Sequence, residues 1–186
     1  MFCFGEYLMY KGTNTYHINS VEPIEVFYNL RTDLDKLKYA VHINKIVQDV
    51  TNENQNCYKI LQLLLNTLYT ISEFDKNLDL VLSIFKMRLL VYLGMVPNIN
   101  QCTCCKEKEK IKYFSIKDNG FKCKICGKTD TSAISISEST KNAIKFAIVA
   151  PAKKIYSFNI KDESLEEFKI IAKLYFDEKI EKKYNL

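Results

Sequence analysis

Glycine, proline and tryptophan are what this sequence has least of. Its 186 residues contain 5 Gly, 3 Pro and no Trp. So few turn formers exclude a collagen-like or low-complexity chain, and they argue against an all-β chain of tight turns. Histidine is nearly as scarce, with only His17 and His42. No Ser/His/Asp constellation stands out, and no GxxxxGK[ST] or GxGxxG loop occurs to cradle a phosphate. The chain therefore reads as a binding protein, not an enzyme.

Long apolar runs are missing too. No stretch of about 18 apolar residues is free of charge, so no transmembrane helix and no membrane partner are expected. The start, MFCFGEYLMY, lacks a basic n-region and is interrupted by Gly5 and Glu6, so it does not read as a signal peptide. A chain without an export signal meets a reducing cytosol, where disulfides rarely persist.

Apolar residues are plentiful, at 47%, enough for a core without disulfides. The net charge of +5 permits an anionic partner such as nucleic acid without demanding one.

Periodicity divides the chain. Tyr7–Tyr10 form an apolar, aromatic strand, Lys11–Asn14 is turn chemistry, and Tyr16–Ile18 begin a second strand. A lone two-stranded hairpin is marginal in water, so it either packs on the helices after it or belongs to a larger sheet. Leu34, Leu37, Val41 and Val47 then recur at helical spacing. A second helix is marked from Tyr58 to Ile71 and a third from Leu78 to Leu93, stopped by Gly94 and Pro97. After residue 130, Ser137 opens a helix through Val149, and Ser164 with Glu167 matches a capping box for a last one. The fold class expected is mainly α: a helical bundle preceded by a β-hairpin and interrupted by a small insertion.

The interruption is CTCCKEKEKIKYFSIKDNGFKCKIC, which holds five of the seven cysteines. Cys102 and Cys105 form one C-x-x-C, Cys123 and Cys126 another, with seventeen residues between them. That is the spacing of zinc sites. Two intervening residues let a turn aim both sulfurs at one point, and KYFSI, the DNG turn and Phe121-Lys122 make a hairpin that brings the second pair opposite. Cys104 reads as a spectator thiol, C-x-C being the poorer pairing. A redox pair is the weaker reading, because no βαβ pattern surrounds either motif. Four thiolates also suit iron, and the sequence leaves that alternative open. A closed Cys₄ zinc site has no open position, so its Zn²⁺ is structural.

Tyr7, Tyr10 and Tyr16 surround Lys11, and Arg31, Lys36 and Lys38 lie at the start of the first long helix. Aromatic platforms beside basic groups hold single strands by stacking and phosphate neutralisation. Taken alone, these residues favour the plainer reading, in which the tyrosines are core and the lysines solvated.

Several stretches together resemble the RecO family of bacterial recombination mediators. They are YKGTNTYHINSVEPIEVFYNLRTDLDKLKYA, LVLSIFKMRLLVYLGMVPNINQC, the two C-x-x-C pairs with YFSI between them, and LYFDEKIEKKYNL. The resemblance implies an OB-fold domain followed by a helical domain with a zinc-binding insertion. On that pattern residues 1–22 are the last strands of a truncated OB-fold, residues 23–186 are the helical domain, and residues 100–130 are its insertion. The zinc ligands carry over to Cys102, Cys105, Cys123 and Cys126, and the basic DNA-contacting positions to Lys11, Arg31 and Lys38. The function implied is binding of single- and double-stranded DNA and annealing of complementary strands. With RecR, and with a functional link to RecF, the family assists loading of RecA onto strands coated by single-strand-binding protein (SSB). The location implied is cytoplasmic and nucleoid-associated. The alternative is a zinc-stabilised interaction module that docks RecR or the SSB C-terminal tail and binds little DNA itself.

Overall fold

A computed structural model describes residues 2–184 and 186. Among the described residues there are six α-helices, five strands and two short 3₁₀ turns. The chain opens with β1 (Cys3–Lys11) and β2 (Tyr16–Val26), an antiparallel hairpin whose strands pair only with each other. Nearly every side chain on it is exposed. Tyr7, Tyr10 and Tyr16 are among them, which overturns the reading that they are core. The hairpin is anchored at its root, where Phe2 and Phe27 are buried and the Phe27 N–H donates to the Phe2 carbonyl at 3.1 Å.

The helical body comes next. Asp33 caps α1 (Leu34–Val50), its carboxylate accepting from the N–H groups of Asp35 and Lys36 at 2.8 and 3.0 Å. Such a cap satisfies donors that the first turn leaves without partners. The face that α1 buries is Ala40, Ile43 and Ile46, with Leu37 and Val47 packed beside them. Leu34 is 80% exposed and Val41 48%, so the expected stripe is only half right. α2 spans Tyr58–Glu73 and α3 Leu78–Tyr92, capped by Asn77. α3 is the axle of the domain: every residue from Leu80 to Leu90 is buried, with α1, α2, α5 (Glu138–Val149) and α6 (Asp162–Ile180) around it. A helix apolar on all sides has to be enclosed in this way. Its Arg88 donates to the carbonyls of Ile148 and Ala150, closing the C-terminal end of α5.

The insertion carries β3 (Ile111–Ser115), β4 (Gly120–Cys123), the short α4 (Lys124–Lys128) and β5 (Ala133–Ser135). The strands form an antiparallel sheet in the order β4-β3-β5, so the expected hairpin has a third strand. Its turn is stitched to the segment after α3. Asn98 N–H donates to Asn119 at 2.8 Å and Asn98 C=O accepts from Phe121 at 2.9 Å. The Asn98 backbone lies so close to Gly120 that a Cβ there would collide with it. The start of α6 also differs from expectation. The helix begins at Asp162, which places Ser164 inside the first turn, and Glu167 bonds elsewhere. Its Oε2 accepts from the Ser137 N–H at 2.8 Å and from the Thr140 hydroxyl. A carboxylate expected to cap its own helix thus ties α6 to the start of α5.

Candidate metal centre

Four cysteine sulfurs converge at one edge of the insertion. Those of Cys102, Cys105, Cys123 and Cys126 all lie within 4.8 Å of one another. Cys105 and Cys123 are 3.6 Å apart, far beyond the length of a disulfide. Four sulfurs bound at 2.3 Å around one tetrahedral centre would stand about 3.8 Å apart. The cluster therefore has the dimensions of a closed tetrathiolate site.

Local backbone bonds hold each pair. Cys102 and Cys105 sit on a turn in which the Cys102 N–H donates to Glu107 at 2.7 Å and the Lys106 N–H to Cys102 at 3.1 Å. Lys106 adopts φ +67°, which reverses the chain beyond Cys105. Cys123 ends β4 and caps α4, its sulfur accepting from the Cys126 N–H at 3.4 Å. The Thr103 N–H donates to Phe121 at 2.8 Å, joining the first turn to the second. Gly127 has to be glycine because a Cβ there would strike the Tyr113 ring. Cys104 is exposed and lies outside the cluster.

The protonation chemistry fits a cation. Burial opposes ionisation of Cys102, yet backbone N–H groups of Cys105, Cys123 and Cys104 aim at its sulfur and hold the thiol at about 6. Cys123 is also lowered, chiefly by the N–H of Cys126. Cys126 moves the other way, pushed up to about 12 by its bonds to the Cys105 and Cys123 sulfurs. Four thiolates this close cannot all form unaided, and a divalent ion removes the repulsion.

The insertion is tied to the helical body through its aromatic face. The Phe114 ring meets Phe121 edge-on at 6.0 Å and Tyr175 of α6 at 5.4 Å, and none of the three is exposed to any extent. Beside β4, buried Lys122 bonds Asp130 at 2.6 Å and also pairs with Asp118. Asp130 accepts further from Ser115 at 2.8 Å, fixing the loop after α4.

The structure places the basic residues singled out from sequence in three separate settings. Lys11 lies near the hairpin tip, 6.0 Å over the Tyr16 ring. Arg31 stacks 5.6 Å over Tyr28 in the 3₁₀ turn before α1. Lys38 lines a cavity between α1, α3 and α6. That cavity also contains Lys86, Lys169 and Lys173, which sequence reasoning passed over. The signal available was a lysine in the middle of LVLSIFKMRLL, where an apolar helix has no evident use for charge. His17 stacks on Tyr10, His42 meets Tyr184 edge-on, and neither bonds a cysteine, serine or carboxylate among the described residues.

Residues 31–185, which include the helical body and the whole cysteine cluster, match the family described as "Recombination protein O C terminal". The chain belongs to the RecO family. It is 35% identical to the DNA repair protein RecO of Acetivibrio thermocellus over 185 residues, 99% of this chain and 74% of that protein. It is 28% identical to that of Alkaliphilus metalliredigens, over 94% of this chain and 71% of the relative. For that of Bacillus subtilis the figures are 27%, 95% and 69%. This is therefore a DNA-repair protein of the RecO type, a recombination mediator rather than an enzyme. No described helix is long and apolar enough to cross a membrane.

Proposed function

We propose that this protein binds single- and double-stranded DNA and anneals complementary single strands. With RecR, it assists loading of RecA onto strands coated by SSB. The observation that carries this reading is the family match over residues 31–185, which runs through every helix and the cysteine cluster. Annealing breaks no bond. It needs a surface that neutralises two phosphate backbones at once so that bases can pair. The net charge of +5 and the exposed Tyr7, Tyr10 and Tyr16 around Lys11 support that role. Residues 1–22 are assigned to an OB-type domain and residues 23–186 to the helical domain, although β2 itself runs on to Val26. The bare edges and exposed apolar side chains of the hairpin support its origin in a larger sheet.

The metal is Zn²⁺, held by Cys102, Cys105, Cys123 and Cys126 with no position open to substrate. It braces residues 100–130 as a scaffold. The protein works in the bacterial cytoplasm at the nucleoid, with RecR and the SSB tail as docking partners and RecF and RecA as functional ones.

The test is anisotropy of a labelled single-stranded oligonucleotide at low and moderate salt, followed by addition of the complementary strand. Salt-sensitive binding with accelerated pairing is expected. A folded, zinc-loaded sample that binds no DNA but captures RecR or the SSB tail would reverse the assignment in favour of a docking module.

A further inference from the structure

The cavity between α1, α3 and α6 has a volume of about 340 Å³, and four of its lining residues are lysines. Its acidic lining residue is Asp79, which is already engaged. Asp79 accepts from the Tyr39 hydroxyl at 2.6 Å and pairs with Lys169 at 2.7 Å. Lys86 is in a different position. It is 4% exposed, yet among the described residues no carboxylate lies within 4.0 Å of its Nζ and no acceptor bonds it. Its ammonium stands 5.6 Å over the Phe176 ring. Burial lowers its pKa; Asp177 and Asp79 oppose this from beyond pairing distance, and Lys173 adds to it. Asp177, whose Oδ1 is itself buried without a partner, does not reach pairing distance. A desolvated cation with no counter-ion in contact is costly to fold around, and leucine or methionine would fill the same space without that cost. An anion in the cavity would complete the site.

The basic lining does not end there. A second cavity of about 410 Å³ shares Lys38, Tyr184 and Leu186 with the first and adds Lys45, Lys182 and Lys183. Asp49 engages two of these, Lys182 at 2.6 Å and Lys45 at 3.6 Å, which leaves Lys38 and Lys183 to face an incoming charge. One terminal carboxylate of a peptide would satisfy the first cavity alone. A polymer with regularly repeated charges suits both.

We propose that this pair of cavities is a nucleic-acid backbone site, with one phosphate taken between Lys86, Lys38 and Lys173 and the strand running on past Lys38 toward Lys183. The proposal rests on the DNA-binding reading and places a contact on the helical body, away from the hairpin.

The experiment titrates a labelled single-stranded oligothymidylate with wild type, Lys86→Met, Lys173→Gln and a control, Lys59→Met on the exposed face of α2. Each is measured across a salt series. Lys86→Met keeps the aliphatic stem and removes the charge. It is expected to weaken low-salt binding roughly tenfold and to flatten the slope of log K against log salt by about 0.7, one phosphate contact. Lys173→Gln, which lies on α6 and does not depend on core packing, is expected to lower affinity and slope in the same direction. Lys59→Met is expected to change neither. Wild-type affinity and slope in both cavity variants would overturn the site while leaving DNA binding elsewhere intact. Absence of binding by wild type would overturn both this site and the DNA-binding reading. Loss of a labelled acidic peptide's binding in Lys86→Met, with oligonucleotide binding unchanged, would overturn the proposal and reassign the cavity to a peptide.

Discussion

Replacing Phe114 by alanine tests whether the cysteine insertion and the helices share one core. Phe114 is fully buried on β3, between Phe121 of its own sheet and Tyr175 of α6. Removing a buried ring costs about 3–5 kcal/mol in transfer and cavity terms. The two edge-to-face pairs put the expected value at the upper end of that range. For a chain of this size each kcal/mol lowers Tm by about 2–4 °C, so Phe114→Ala should melt roughly 8–20 °C below wild type. Phe114→Leu, which keeps most of the volume, should lose far less. The assay is thermal unfolding followed by circular dichroism, with zinc per chain measured on the same samples. Metal content should stay at wild-type level, because the sulfurs are positioned by their own turn bonds and not by Phe114. A single transition within about 2 °C of wild type would refute the shared core. Two separated transitions in wild type would refute it differently, by showing an insertion that unfolds alone.

Two further expectations concern the cluster and the core histidine. Cys123→Ser should lower zinc content and loosen residues 100–130, whereas Cys104→Ser should leave both unchanged; equal metal loss in the two variants would overturn the ligand assignment. His42 is held neutral by burial and by Lys86 and Lys38, its pKa lowered from 6.5 to about 4. The unfolded chain therefore binds the extra proton first, so this contribution is complete above pH 6.5 and is lost as pH falls toward 4. With the ring about half screened by solvent, the loss is about 1–2 kcal/mol, and the melting difference between wild type and His42→Gln should shift by that amount over this window. A difference that does not change with pH would count against the buried, neutral ring.

What could be read from the sequence was whatever depends on near neighbours. The two C-x-x-C turns, the DNG reversal and the Ser137 cap are local chemistry, and each appears where its residues stand. The misreadings arise where distant segments decide. α1 turns Ala40, Ile43 and Ile46 inward because α2 and α3 lie on that side, and this leaves the equally apolar Leu34 and Val41 exposed. Glu167 has the spacing of a capping box but finds better donors on Ser137 and Thr140. β5 is three residues long and exists only as a partner for β3. The cavity around Lys86 escaped notice because α6, which supplies two of its other three lysines, lies some eighty residues further along the chain.

That separation bears on synthesis. The ribosome delivers α3 before α6, and roughly seventy residues lie between the end of one and the start of the other. At ordinary elongation rates, α3 waits on the order of 4–14 s for the helix that encloses it. During that interval the stretch from Leu80 to Leu90, wholly covered in the finished protein, has α1 and α2 for shelter and gains α5 only in its later part. The cysteine insertion emerges within the same interval and needs no later segment for its sulfurs to meet. Nascent chains halted before α6 are thus the ones expected to recruit chaperones, and metal capture can precede completion of the body.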